Sequence, residues 1–228
     1  ALLHPRGTER GKERQGARWA FRPVEGYATF DRALRMDDGH IVAQSPARAR
    51  LLRAEIGLHR ARMLRSRPPV FVSKNTRNTR GVALLDSLFP GSRFVLLVRD
   101  PVDTIASMVR VDFFGALELV WDGTPTTVAE ATTRGADANR IAADIWNDEI
   151  AMALDDLARI DDARVLHLRY EDLVADPRTH LRRVCEFAAL DPARHAHFER
   201  RADEVRRRPR ATTPDQAMLA TARSVCGA

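Results

Sequence analysis

Lysine is almost missing from this chain: of its 37 basic residues only Lys12 and Lys74 are lysines, the others all being arginine. A skew of that kind is a habit of the whole sequence, so the arginine count alone points to no partner. It also sets Lys74 apart, because a lysine kept where arginine is the default suits a task that needs a compact point charge. Cysteine is nearly as scarce. Cys185 and Cys226 have neither metal-ligand nor redox spacing and supply no disulfide framework, which fits a reducing cytoplasm. No apolar run approaches the roughly 20 residues needed to span a bilayer. Ala1-Leu2-Leu3 gives way to charge at once, unlike a signal peptide. Internal repeats are absent too.

What the chain has is charge of both signs. The formal net charge is +6 over 228 residues, yet acidic residues lie among the arginines nearly everywhere, the pattern of solvated, ion-paired helix faces. No recognition motif accompanies the charge, which argues against a nucleic-acid binder, while a basic chain still suits a small polyanion. The length predicts a single domain over 1–228.

Periodicity places the elements. Residues 1–45 carry no clear pattern and read as irregular. Leu51, Leu52, Ile56, His59 and Met63 have helical spacing from Pro46 to about Leu64. Pro68-Pro69 stops that helix, and Val70-Phe71-Val72 reads as a short buried strand. A second helix is expected over 78–88, ending at Pro90-Gly91. Phe94 to Val98 is an unbroken apolar run, the pattern of a parallel strand covered on both faces. Asp100-Pro101 opens a helix with Asp as N-cap and Pro at the first turn. Residues 111–138 read as a long connection or lid over a substrate. A long helix follows over 139–160, then a strand at Val165–Leu168, and Asp176-Pro177 and Asp191-Pro192 each start a helix. Strands alternating with helices predict an α/β fold with a mainly parallel sheet flanked by helices.

In such sheets ligands bind beyond the carboxyl ends of the strands. Three expected strands end there in polar residues: Ser73-Lys74-Asn75, Arg99-Asp100, and Arg169-Tyr170-Glu171-Asp172. The Arg99 guanidinium can hold a phosphate through two parallel hydrogen bonds; alternatively it bonds nearby helix-end carbonyls. Ser107, two turns into the following helix, offers a hydroxyl or faces solvent. Lys74 can neutralise charge developing on a transferred group, or is a surface lysine at a turn. Tyr170 can meet a nucleotide or close off a strand end. Glu171 and Asp172 point apart and serve to anchor the following loop and helix.

The segment Val72-Ser73-Lys74-Asn75-Thr76-Arg77-Asn78, the run from Leu88-Phe89-Pro90-Gly91 to Arg99-Asp100-Pro101, and Ser107 resemble the central part of the sulfotransferases that use 3′-phosphoadenosine 5′-phosphosulfate (PAPS). The closest flavour is a bacterial branch similar to tyrosylprotein sulfotransferases. Trp146, Arg169-Tyr170-Glu171-Asp172-Leu173-Val174-Ala175-Asp176-Pro177 and Phe187 continue the likeness, which covers roughly residues 70 to 190. The resemblance implies a P-loop-NTPase-like sulfotransferase fold and transfer of a sulfonate to a hydroxyl or amine without a metal. The acceptor would be a small molecule, a carbohydrate or a peptide, with no membrane or nucleic acid involved. It places Arg99 and Ser107 on the 3′-phosphate, Tyr170 against that end of the adenosine, and Lys74 on the transferring sulfonate.

One part of the family pattern is not in the sequence. A strand and a loop resembling Arg-Ser-Gly-Thr-Thr normally cradle the 5′-phosphosulfate with backbone amides. Arg6-Gly7-Thr8 is similar only on the surface, since no apolar strand precedes it. The chain reads as beginning after that loop or lacking it, which keeps open a second expectation: a non-catalytic domain holding only the 3′-phosphate half of the nucleotide. For the general base the alignment points to Glu9, with Arg10 beside it. Glu9 also fits a solvated charged loop, and His40 and His167 are the fallbacks.

Overall fold

The computed structural model describes residues 34–38, 40–63, 72–74, 76–121, 124–193, 195, 200, 202–203, 205 and 216–227. The chain first forms an antiparallel hairpin of β1 (Leu34–Asp37) and β2 (His40–Ala43), within a stretch whose sequence has no clear periodicity. Asp38 at its turn has a positive φ of 44°, a conformation that aspartate tolerates better than most residues. Helix α1 (Pro46–Met63) begins where expected. Ser45 caps it, its hydroxyl accepting the Arg48 N–H at 3.2 Å. Leu52 of α1, Ile41 of β2 and Leu88 of the next helix form a small core.

Val70 and Phe71 lie outside the described residues. Val72 is 77% exposed and belongs to no strand. The expected helix over 78–88 divides into a 3-10 turn at Thr76–Arg80 and helix α2 (Val82–Leu88), separated by Gly81. Pro90-Gly91 then turns the chain. Gly91 has φ of 90° and the Ser92 N–H reaches the Phe89 carbonyl at 3.0 Å, as a type II turn with Pro and Gly at its centre requires.

Strand β3 (Phe94–Val98) leads to α3 (Pro101–Met108). The 111–138 connection contains a 3-10 turn, a hairpin of β4 (Glu118–Trp121) and β5 (Thr124–Thr127), and α4 (Val128–Thr133). The long helix α5 (Ala138–Leu157) follows, and then β6 (Val165–Arg169), α6 (Tyr170–Ala175), α7 (Pro177–Phe187) and α8 (Gln216–Cys226).

β3 and β6 pair in parallel, Phe94 opposite Val165 and Val98 opposite Arg169. One face of β3 presents Leu96 to Ala153 and Leu157 of α5 and to Val82 of α2. The other face corrects the expectation of cover on both sides, because Val95 and Leu97 are 43% and 46% exposed. The physical reason is that, among the described residues, β3 has only β6 beside it. The largest core joins α3, α5 and α8, with Ile105, Ala142 and Ala222 fully buried. Small side chains at those contacts let the helix axes approach closely.

Candidate functional site

Parallel pairing carries two distant stretches to one sheet edge. Since Val98 faces Arg169 across the ladder, the next residues, Arg99 and Tyr170, emerge side by side at the carboxyl ends of the strands. The Arg99 guanidinium carbon lies 5.1 Å from the Tyr170 ring centre, within cation–π range. Asp100 holds the turn from strand to helix. Its carboxylate accepts the Asp103 N–H at 3.0 Å and its carbonyl accepts the Thr104 hydroxyl at 2.9 Å, and Pro101 fills the first helical position.

Glu171 does more than anchor its own helix. Its Oε1 accepts the Asp100 N–H at 3.0 Å, which ties the end of β3 to the end of β6. Asp103, 6% exposed, lies 3.7 Å from Arg99 Nη2. Asp103 and Ser107 are four residues apart and share a helix face, so this contact aims the guanidinium along the face that carries Ser107. The Ser107 side chain is exposed. Arg99 Nε is buried and meets no hydrogen-bond acceptor, and a buried N–H without a partner is costly. A ligand oxygen is the kind of group that would satisfy it.

Lys74 follows Ser73 in a segment without regular structure, and both side chains are exposed. Asn78 holds Ser73 from the 3-10 turn, its Nδ2 donating to the Ser73 hydroxyl at 3.2 Å and to its carbonyl at 3.4 Å. Glu9 lies outside the described residues. His40 belongs to a different part of the molecule, with Nδ1 3.1 Å from the Asp38 carbonyl oxygen and Nε2 3.6 Å from buried Asp156. His167 sits mid-strand on β6 and is exposed. Among the described residues no group of three or more His, Cys, Asp or Glu is arranged to hold a metal, and no helix is long and apolar enough to cross a membrane.

A family profile described as Sulfotransferase family matches residues 4–194. This chain is a member of the sulfotransferase family. Protein-tyrosine sulfotransferase A of Caenorhabditis elegans is 25% identical to it over 123 residues, covering 53% of this chain and 28% of that protein. The chain thus matches little more than a quarter of that relative's length. Among solved structures, the sulfotransferase domain from the curacin biosynthetic pathway aligns with a TM-score of 0.50 at 19% identity, over 77% of this chain and 68% of that one. At that identity the likeness speaks for the fold, which is the α/β sulfotransferase architecture with helices flanking a parallel sheet.

Two residues near the family site escape a reading by local pattern. Asp103 had a local signal, its i, i+4 spacing from Arg99. Glu149, which binds the turn after Lys74 from 70 residues away, had none.

Proposed function

We propose that this sulfotransferase uses PAPS and transfers its sulfonate to a hydroxyl or amine of a small-molecule, carbohydrate or peptide acceptor. The observation that carries the reading is the buried, unpartnered Nε of Arg99 at a strand end, beside the Tyr170 ring and on the helix face of Ser107. Those residues fit the 3′-phosphate end of the nucleotide. Arg99 offers a fork of donors to a phosphate, Ser107 adds a hydroxyl, and Tyr170 backs the guanidinium with its ring face. When bound, the donor supplies an activated sulfonate on a phosphate leaving group.

Lys74 then contributes a mobile cation for negative charge at the bridging oxygen, which needs no metal. Asp100 and Glu171 keep the two strand ends in register, so that positioning supplies much of the rate. Glu9 is proposed as the base that removes the acceptor's proton. The 111–138 segment, with its hairpin, is proposed to face the acceptor within a single sulfotransferase domain.

The test is binding of the product, adenosine 3′,5′-bisphosphate. At a hundredfold excess over Kd a ligand stabilises by about 2.7 kcal/mol, a rise in Tm of roughly 5–10 °C for a chain of this size. Arg99→Ala is expected to abolish the rise. No rise in the wild-type chain at millimolar bisphosphate would count against the donor assignment. A rise without transfer of radiolabelled sulfonate to any acceptor would support the non-catalytic, half-site reading instead.

A further inference from the structure

We infer that Glu149 of α5 is the positioning residue for Lys74, an inference that rests on the donor reading above. The segment carrying Lys74 has no strand or helix of its own, and its side chain is exposed. A cation on a four-carbon stem loses much of its value in catalysis when its backbone wanders as well. Something must fix that backbone. The described contacts lead to one carboxylate.

The link runs in three steps. Asn78 Nδ2 donates to both the hydroxyl and the carbonyl of Ser73, the residue before Lys74. Asn78 lies in the 3-10 turn Thr76–Arg80, and its carbonyl accepts the Gly81 N–H at 3.1 Å, closing the turn onto α2. The turn's last two residues then grip α5: the Thr79 hydroxyl donates to Glu149 Oε2 and Arg80 Nε donates to Glu149 Oε1. Arg80 Nη1 adds a contact at 3.0 Å to Met152 Sδ, one turn further along the same helix.

Burial gives the clasp its strength. The Arg80 and Glu149 side chains are 17% and 18% exposed, so water competes poorly for either partner. Removing one leaves the other poorly solvated and unpaired. Both oxygens of Glu149 are engaged, one by a hydroxyl and one by a guanidinium, so the carboxylate fixes the orientation of the turn as well as its distance. It touches neither Arg99 nor Tyr170 in any described contact. Its effect on the site is therefore expected to pass through Lys74.

A double-mutant cycle on the Kd of adenosine 3′,5′-bisphosphate tests this, because residues that act through one another are non-additive. Lys74→Ala is expected to weaken binding roughly tenfold, the size of one charge-assisted hydrogen bond. Glu149→Gln and Asn78→Ala are each expected to weaken it by up to that amount. Adding either to Lys74→Ala should change Kd by less than about twofold, whereas adding either to Ser107→Ala should multiply the two effects. Amide exchange over 72–80 should accelerate in Glu149→Gln and Asn78→Ala but not in Lys74→Ala. Should Glu149→Gln fail to fold, Asn78→Ala carries the cycle, since it breaks the same link without stripping a buried arginine of its partner. Undiminished loss on the Lys74→Ala background would overturn the inference, as would wild-type affinity in both single variants. If the wild-type chain does not bind the bisphosphate, the donor reading fails separately. Exchange then decides alone, and unchanged rates over 72–80 would end the positioning claim.

Discussion

Asp155 and Asp156 are neighbours in sequence and opposites in circumstance. The Asp155 side chain is 62% exposed and pairs with Arg159 Nη2 at 2.7 Å, the kind of surface bridge that contributes little. Asp156 is 1% exposed at its side chain. It accepts the Ala83 N–H at the first turn of α2 at 3.0 Å and meets Arg159 Nη1 at 3.3 Å. Replacing it leaves a backbone donor unpaired in a closed site. Asp156→Ala is expected to cost about 3 kcal/mol and Asp155→Ala under about 0.5 kcal/mol, measured by denaturant unfolding with an unchanged m-value. Equal costs would mean that burial does not govern this pair. The same contrast explains which functional residues could be read beforehand. Arg99 and Tyr170 stood at strand ends and Ser107 at helical spacing, all local signals. Glu149 works on residues 69 and 70 positions away, and nothing in the order of residues announces such a contact.

The element that periodicity missed is the β4–β5 hairpin. Pro125 and three threonines (Thr124, Thr126 and Thr127) blur the alternation that marks a strand, and Pro is tolerated in a two-stranded ribbon because no further neighbour needs its N–H. The available clue was Asp122-Gly123 between Trp121 and Thr124, a two-residue hairpin signature. Helices were easier, since Asp100-Pro101 and Asp176-Pro177 each combine a cap with a preset φ. The helix after β5 carries a capping box in which Thr127 and Glu130 bond reciprocally. The Thr127 N–H, then the Thr126 and Thr127 hydroxyls, hold the Glu130 carboxyl below its ordinary range. A folded-state pKa below the unfolded one gives stability that is present above the unfolded value and is lost as the pH falls through the folded one. Asp176 behaves alike, the Thr179 hydroxyl and N–H lowering it. Glu130→Gln keeps an acceptor but cannot titrate there. Its Tm is expected to fall less steeply than the wild type's as the pH drops below the usual glutamate range. Superimposable acid limbs would rule the box out as a contributor.

Across the whole molecule α5 is the spine. Near its start Ile141, Ala142, Ala143 and Ile145 join the core with α3 and α8, and near its end Ala153 and Leu157 pack under β3. Helix α8 lies beyond residues 4–194, the part that matches the family, yet it helps close the largest core. Ala222 is fully buried there while Ala220, half a turn away, is exposed. Ala222→Leu is therefore expected to destabilise by about 2 kcal/mol through overpacking, and Ala220→Leu hardly at all. Thermal unfolding of the two variants checks it, and equal Tm values would mean that α8 is not seated on α5. The parallel pairing of β3 with β6 has a consequence for how such a protein can change over time. The two strand ends meet by register, however long the chain between them is. Insertions or deletions in the hairpin region can reshape what the protein accepts while Arg99 and Tyr170 keep their spacing. Recognition of new acceptors and retention of the anion-holding edge are separable problems for selection, and only slippage within the strands themselves would couple them.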